Sequence, residues 1–226
     1  MGISQCDLVI FDCDGVLVDS EPIVNRIFAE TLTEAGFQIT YEQVTQQFMG
    51  KSLATCLAII EETYGRRLPP TFTERCKERE FTAFQQELRP VSGIAETLEQ
   101  ISLPKCVASN SSHRHIQVVL TLTGLLHQFD GKLYSAYDVE RPKPFPDVYL
   151  YAAQQMNTDP SRCVVVEDSV PGVQAASAAG MTVFGYAQRS DRAALLAAGA
   201  TFIFDDMQNF PGMINAESNF QGIEVK

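Results

Sequence analysis

The chain has 226 residues, 45% of them hydrophobic, and a formal net charge of −11 at pH 7. This apolar content is enough for a full core and excludes a disordered tail, while the acidic balance argues against a nucleic-acid-binding surface, which needs basic residues. No apolar stretch approaches the roughly 20 residues that a membrane-spanning helix requires. We therefore expect a globular protein without a nucleic-acid or membrane partner.

The cysteines and the N-terminal segment indicate the cellular compartment. The six cysteines form no C-x-x-C pair, and several lie in apolar runs, which is typical of reduced thiols in the core of a cytosolic protein. The N-terminus leads directly into the first apolar run, without the charged segment or the cleavage site of a secretory signal. We expect a cytoplasmic protein, and a monomer.

The first predicted element is a buried strand from Leu8 to Phe11. Asp12 and Asp14 follow it at once, and Gly15 allows the chain to turn away. A buried carboxylate costs several kcal/mol unless it is paired, bound to a metal or open to solvent in a cleft. The two aspartates therefore mark either a solvated turn or a site at the carboxyl end of a strand.

From residue 19 to residue 88 the pattern is helical, and we find no convincing strand in it. Apolar residues recur at helical spacing over this whole stretch, which predicts an inserted helical domain. The signals that delimit its four helices are, in chain order, Gly36, a capping box of Thr40 with Gln43, Ser52, and the pair Pro69-Pro70.

After residue 88 the chain alternates between apolar runs and helical segments. Such alternation is typical of parallel βαβ units in a doubly wound sheet. We predict an α/β fold, with a Rossmann-like core from residues 1–18 and 89–226 and a helical insert at 19–88. The polar segment after Pro211 is expected to be loosely attached. The predicted strands of the second part are Lys105 to Ser109, Leu133 to Ala136, Cys163 to Val166, Met181 to Phe184 and Thr201 to Phe204.

Polar side chains lie at the ends of several of these strands and in one loop. Because the carboxyl ends of parallel strands share one edge of the sheet, we expect these side chains to converge. Several carboxylates close together repel one another, and a divalent cation with a lysine would relieve that repulsion. Oxygen ligands without His or Cys indicate Mg²⁺, which also takes phosphate oxygens. The residues are Asp12, Asp14, Ser109, Asn110, Lys143, Glu167 and Asp168.

Each of these residues also has an ordinary structural explanation. Ser109 and Asn110 could cap the next helix, and Glu167 with Asp168 could do the same farther along the chain. Lys143 could be a solvated loop lysine. Two histidines, His113 and His115, do not share a helical face in the i, i+4 manner, and we interpret them as surface residues.

Taken together, the motifs resemble those of the haloacid dehalogenase-like superfamily, and within it the β-phosphoglucomutase-like phosphatases with a helical cap. The resemblance covers nearly all of residues 5–205. It implies that the insert is a cap domain that closes over the site. The matching motifs are Asp12 to Ser20, Ser109 to Ser111, Arg141 to Pro144, and Glu167 to Ser169 with Gly172.

The resemblance implies a role for each acidic residue. Asp12 would attack phosphorus and become an aspartyl-phosphate. Asp14 would protonate the leaving oxygen and then activate water. Mg²⁺ would be held by the carboxylates of Asp12 and Asp168 and by the backbone carbonyl of Asp14, with Glu167 in or beside the metal site.

The resemblance also implies residues that bind the substrate. The non-bridging phosphoryl oxygens would be bound by Ser109, Asn110 and Lys143. The cap loop would select the rest of the substrate, a choice that the sequence leaves open. The substrate-binding residues expected in and beside the cap are Ser20, Gly50 and Lys51.

The predicted function is a magnesium-dependent phosphatase for a small sugar or sugar-acid phosphate, for example a hexose phosphate or 6-phosphogluconate. A phosphosugar mutase of the β-phosphoglucomutase type is the main alternative. For a mutase, the resemblance implies a histidine at the position of Val24 and basic residues at the positions of Met49 and Leu53. This chain has none of them there, and Lys51 is the cation nearby. A non-catalytic binding protein on the same fold is a more remote alternative.

Overall fold

The structure is a computed structural model that describes residues 6–48 and 53–216. The chain divides into two compact units: unit 1 contains Met1–Asp19 and Arg89–Lys226, and unit 2 contains Ser20–Leu88. Asp19, which the sequence analysis assigned to the insert, groups with unit 1. The predicted cap at Ser52 and the predicted substrate residues Gly50 and Lys51 lie outside the described residues.

Within the described residues, unit 1 has six strands in a single sheet in which every neighbouring pair is parallel. The first strand is central, and its last residue, Phe11, pairs with Val107 on one side and Val166 on the other. The predicted α/β fold class is thus confirmed. The strands, in the spatial order β3-β2-β1-β4-β5-β6, are β1 Leu8–Phe11, β2 Lys105–Ser109, β3 Leu133–Ser135, β4 Cys163–Glu167, β5 Thr182–Tyr186 and β6 Phe202–Phe204.

The described part of unit 2 is helical, as the sequence predicted. The capping box is present, because Thr40 N donates to Gln43 Oε1 at 2.8 Å and Gln43 N donates to Thr40 Oγ1 at 3.3 Å. Phe28 packs edge-on against Phe48 and Phe72 in the apolar core of this unit. The helices are α1 Glu21–Glu34, α2 Tyr41–Phe48, α3 Leu53–Tyr64 and α4 Phe72–Glu87.

The helices of unit 1 connect the strands, and the last of them corrects one expectation. We expected a loose tail after Pro211, but a helix begins at Phe210, whose buried ring packs against Phe11, Phe184 and Phe204. Ile214 is also buried, so apolar packing overrides the polar character of this segment up to that residue. The helices are α5 Ile94–Gln100, α6 His113–Leu122, α7 Asp147–Gln155, α8 Val170–Ala178, α9 Arg192–Ala198 and α10 Phe210–Ala216.

The chain leaves unit 1 and returns to it at neighbouring points. Asp19 N donates to Arg89 O at 3.0 Å, and Val91 N donates to Leu17 O at 3.0 Å. An antiparallel bridge between Val18 and Pro90 lies between these bonds. The two connecting segments are therefore hydrogen-bonded to each other inside unit 1.

None of the helices in the described part of the chain combines the length and the apolar character of a membrane span.

Candidate active site

The candidate site lies at the carboxyl edge of the sheet in unit 1. Asp12 directly follows β1, and Glu167 ends the neighbouring strand β4, with Asp168 one residue further. One carboxylate oxygen from each of these three residues lies within 4.8 Å of the other two. The parallel topology brings together three of the predicted acidic residues in this way.

Lys143 is buried between these carboxylates. Its Nζ lies 2.5 Å from Asp12 Oδ1 and 2.7 Å from Glu167 Oε1, and it donates to Ala108 O at 3.0 Å. Burial by itself would lower the pKa of Lys143, but the charges of Asp12 and Glu167 outweigh it, so the pKa lies well above its ordinary value. The lysine is therefore a fixed positive charge at the site and not a solvated loop residue.

Asn110 positions the loop that carries this lysine. The amide oxygen Oδ1 of Asn110 accepts from Lys143 N at 2.9 Å, and its Nδ2 donates to Lys143 O at 3.3 Å. Ser109, at the end of β2, is buried, and its Oγ accepts from Ser111 N at 3.0 Å. Direct contacts of Ser109 and Asn110 with phosphate stay predictions.

Glu167 is fully buried, and neighbouring donors occupy both of its oxygens. Oε1 accepts from Lys143 and from the hydroxyl of Tyr149 at 3.0 Å, and Oε2 accepts from the backbone N and the Oγ of Ser169, both at 2.9 Å. A Cβ at Gly172 would lie 1.6 Å from Oε1, so only glycine fits there. Because both of its oxygens already accept hydrogen bonds, Glu167 is better suited to positioning Lys143 than to binding a metal ion directly.

Tyr149 is a site residue that the sequence analysis missed. Besides its bond to Glu167, its ring lies 4.6 Å from Lys143 Nζ, in a cation–π contact. The side chain is completely buried on α7. The sequence signal available was a tyrosine six residues after Lys143, in a helix that follows the lysine loop, and this signal is weak on its own.

In the acidic cluster Asp12 is buried and Asp168 is the partly exposed member. Burial, opposed by Lys143 and reinforced by Glu167, raises the pKa of Asp12 to about 7. A Cβ at Gly15 would lie 2.0 Å from Asp168 Oδ2, so the turn after β1 must be a glycine for this carboxylate to sit there. Clustered carboxylate oxygens are the donors that Mg²⁺ prefers, and the cluster fits such an ion.

Asp14 lies beside the segment that follows β2. Ser111 Oγ donates to Asp14 Oδ2 at 3.0 Å, and His115 Nε2 lies 3.1 Å from Asp14 Oδ1. The interpretation of His115 as a surface residue is incomplete: its side chain is 31% exposed, but α6 starts at the edge of the sheet and its first turn faces Asp14. His113 does lie at the surface, where it pairs with Asp138.

The substrate-binding residues predicted in and beside the insert are Ser20, Gly50 and Lys51. Ser20 directly precedes α1 in unit 2, and Gly50 and Lys51 are outside the described residues. Roles in substrate binding for all three stay predictions.

The sequence model of the haloacid dehalogenase-like hydrolases matches residues 6–180 of this chain. The chain belongs to this family. Over 183 residues, 80% of the chain, it is 37% identical to a 6-phosphogluconate phosphatase of Escherichia coli, and the match covers 83% of that protein.

Solved structures of haloacid dehalogenase-like proteins are also similar to the chain. One is a conserved protein of unknown function from Agrobacterium tumefaciens, with a TM-score of 0.87 and 35% sequence identity. The match covers 95% of this chain and 100% of that protein. A family hydrolase from Deinococcus radiodurans, with bound phosphate and sodium, has a TM-score of 0.83 and 30% identity over 97% of this chain and 99% of its own. The predicted family is confirmed, and the phosphatase relatives in it confirm the predicted enzyme class, a phosphatase.

Proposed function

We propose that this protein is a magnesium-dependent phosphatase that hydrolyses a small sugar or sugar-acid phosphate through an aspartyl-phosphate on Asp12. The observation that carries the proposal is the position of Asp12. It lies at the end of the central strand, 2.5 Å from the buried ammonium of Lys143 and within 4.8 Å of the Asp168 carboxylate. A carboxylate in such surroundings can approach a phosphoryl group whose negative charge the neighbouring cation stabilises.

In the proposed first step, a carboxylate oxygen of Asp12 attacks phosphorus and the bond to the substrate oxygen breaks. Because Asp12 follows a buried strand, its backbone is held rigidly, which favours a fixed angle of attack. Lys143 stabilises the negative charge on the phosphoryl oxygens, and Glu167 with Tyr149 keeps Lys143 in place.

Asp14 is the proposed general acid and base. It gives a proton to the leaving oxygen in the first step. In the second step it takes a proton from the water that attacks the aspartyl-phosphate, which releases inorganic phosphate and restores Asp12. General acid–base assistance of this kind contributes about 10²–10⁴-fold to a rate.

Asp12 and Asp168, with the backbone carbonyl of Asp14, would hold Mg²⁺. When bound, the ion would supply positive charge beside the phosphoryl oxygens. Glu167 is less suited to this ligand set, because Lys143, Tyr149 and Ser169 already donate to its oxygens. We assign Glu167 to the positioning of Lys143.

The substrate class rests on the relatives. A 6-phosphogluconate phosphatase is 37% identical to the chain, and one similar solved structure holds phosphate, which supports a small phosphorylated metabolite. In the proposal, unit 2 is a cap that closes over the site during turnover and selects the substrate, with Ser20, Gly50 and Lys51 as candidate contacts.

The test is release of inorganic phosphate from a panel of sugar and sugar-acid phosphates, including 6-phosphogluconate and hexose phosphates. We expect hydrolysis with Mg²⁺, none in excess EDTA, and inhibition by Ca²⁺, which takes more ligands at longer distances and would misalign the nucleophile. Full activity in EDTA, or equal rates with Ca²⁺, would refute the magnesium site.

A second measurement separates the phosphatase from the mutase. The purified protein is given β-glucose 1-phosphate with a trace of the 1,6-bisphosphate, and the products are analysed. Inorganic phosphate should form faster than glucose 6-phosphate. The opposite order would establish a mutase, and the absence of any turnover on the whole panel would favour a binding protein.

A further inference from the structure

Asp14 contacts two side chains of the segment that connects β2 to α6. Ser111 Oγ donates to one carboxylate oxygen at 3.0 Å, and His115 Nε2 lies 3.1 Å from the other. Each oxygen of the carboxyl group thus has a neighbour from this segment. Two such contacts from one segment restrict rotation of the group about its bond to the rest of the side chain.

The backbone of this segment is itself well anchored. Ser112 caps α6, and its Oγ accepts from His115 N at 3.3 Å. The carbonyl of Ser111 accepts from Ser135 Oγ at 2.6 Å, which attaches the segment to the end of β3. Ser111 and His115 therefore approach Asp14 from a backbone that is fixed at both ends of the turn.

His113 is a natural comparison within the same turn of helix. Its Nε2 lies 2.8 Å from both carboxylate oxygens of Asp138, and half of its side chain is exposed. His115 makes the equivalent imidazole–carboxylate contact, but to an aspartate of the candidate site. The chain thus holds a matched pair of histidines, one at the site and one away from it.

We propose that His115 is a positioning residue that holds the carboxyl group of Asp14 in the orientation required for proton transfer. The inference rests on the proposed function, in which Asp14 is the general acid and base. Proton transfer needs a well-defined distance and angle, and small displacements lower its rate strongly. The Ser111 hydroxyl can donate to the carboxylate of Asp14 or accept from its protonated form, and Nε2 of His115 donates or accepts according to the tautomer of the ring.

A purely structural role does not explain this contact. The side chains of Asp14 and His115 are 33% and 31% exposed, and exposed pairs of this kind contribute little to folding stability. Loss of His115 should consequently affect turnover far more than unfolding. The effect should also depend on how much the substrate needs a proton at its leaving oxygen.

The experiment compares His115→Leu, His115→Gln and the control His113→Leu on 6-phosphogluconate and on p-nitrophenyl phosphate. His115→Leu should lower kcat/KM for 6-phosphogluconate by about 10–100-fold, the effect of losing one hydrogen bond to a charged group. For p-nitrophenyl phosphate the loss should stay below about threefold, because a nitrophenolate leaves without protonation. His115→Gln, whose amide nitrogen can replace Nε2, should recover most of the rate, and His113→Leu should match the unmodified protein.

A double-mutant cycle tests whether His115 acts through Asp14. In an Asp14→Asn background, His115→Leu should change the residual rate on 6-phosphogluconate by less than about twofold, because coupled residues are not additive. Equal losses on both substrates, or an undiminished loss in the Asp14→Asn background, would overturn the inference alone. If the unmodified protein hydrolyses neither substrate nor any phosphate of the panel, or if Asp14→Asn keeps the full rate, the proposed function fails and the inference fails with it.

Discussion

Ion pairs with similar distances occur in both units, but they differ in burial. In unit 1, Lys143 lies 2.5 Å from Asp12 and 2.7 Å from Glu167, and no side chain of this group is more than 11% exposed. In unit 2, Arg79 lies 2.7 Å from both Glu30 and Glu34, with side chains 28% to 42% exposed.

Distance alone therefore does not reveal what an ion pair contributes. The pairs of unit 2 link α1 to α4 on the surface, where solvent screens them and each contributes at most about 1 kcal/mol. The charges of Lys143, Asp12 and Glu167 in unit 1 are costly to bury, and leaving one of them unpaired is strongly destabilising. Such a group at the edge of a sheet is consistent with the chemical role proposed for Asp12 and is not needed for stability.

The largest expected effect concerns the nucleophile. Asp12→Asn should reduce turnover by on the order of 10⁴–10⁶-fold, the scale seen when a covalent nucleophile is lost, because an amide cannot attack phosphorus. The matched control is Glu30→Gln, the same change in the ion pairs of unit 2, which should keep the full rate. The measurement is phosphate release by both variants, with their folding checked by circular dichroism. Substantial activity of Asp12→Asn would contradict the mechanism.

The second prediction concerns Asp14, a partly exposed carboxylate at the candidate site. Asp14→Asn preserves the backbone carbonyl but removes proton transfer, so the rate should fall by about 10²–10⁴-fold while the free energy of unfolding changes little. Steady-state kinetics and a denaturant titration measure the two quantities. Asp205→Asn, at the exposed ion pair with Arg192, serves as the control. An unchanged rate for Asp14→Asn would mean that another group is the acid.

The third prediction compares the two sets of ion pairs directly. Lys143→Met should lower the free energy of unfolding by about 3–5 kcal/mol, because it leaves buried carboxylates without a counter-charge. Arg79→Met should lower it by less than about 1 kcal/mol, because its partners are solvated. Guanidinium titrations of both variants in EDTA give these values. Equal losses would show that burial does not separate the two groups.

The fourth prediction concerns pH in the absence of metal. The pKa of Asp12 is raised from 3.8 to about 7 in the folded protein, mainly by burial. The folded state thus binds this proton more tightly than the unfolded state, and the stability that this contributes is full below about pH 4 and is lost as pH rises to about 7. The asparagine of Asp12→Asn does not titrate. Between pH 4 and pH 7, the free energy of unfolding of this variant should therefore rise by on the order of 1–3 kcal/mol relative to that of the unmodified protein.

The measurement is a series of denaturant titrations in EDTA from pH 4 to pH 8. Asp205→Asn should follow the unmodified protein at every pH, since Asp205 is exposed. A difference between Asp12→Asn and the unmodified protein that is constant across this range would show that Asp12 does not carry the raised pKa.

The sequence was sufficient to predict the edge of the sheet that carries the site. Apolar runs identify the strands, and parallel pairing then places Asp12 and Glu167 at the same edge, whereas Lys143 lies in a loop that Asn110 holds there. Residues far apart in the chain can be grouped from the sequence for this reason.

The contacts that refine the site could not be predicted in the same way. Tyr149 and His115 reach it because of where α7 and α6 begin, and a shift of one residue in either helix would turn these side chains elsewhere. The close approach of Gly172 to Glu167 likewise depends on the path of the backbone. The burial of Phe210 and Ile214 could have been predicted, because the two residues are spaced i, i+4 on one helical face. The polar residues around them made this pattern hard to recognise.

The hydrogen bonds that join Asp19 to Arg89 and Leu17 to Val91 have a consequence for the modularity of the chain. They hold the exit and the re-entry of the polypeptide side by side, so closing the gap with a few residues costs little entropy. We therefore expect that unit 2 can be exchanged for another insert, or omitted, without opening the sheet of unit 1. If unit 2 selects the substrate, as proposed, an exchange at this junction would change specificity and leave the residues of the candidate site in place.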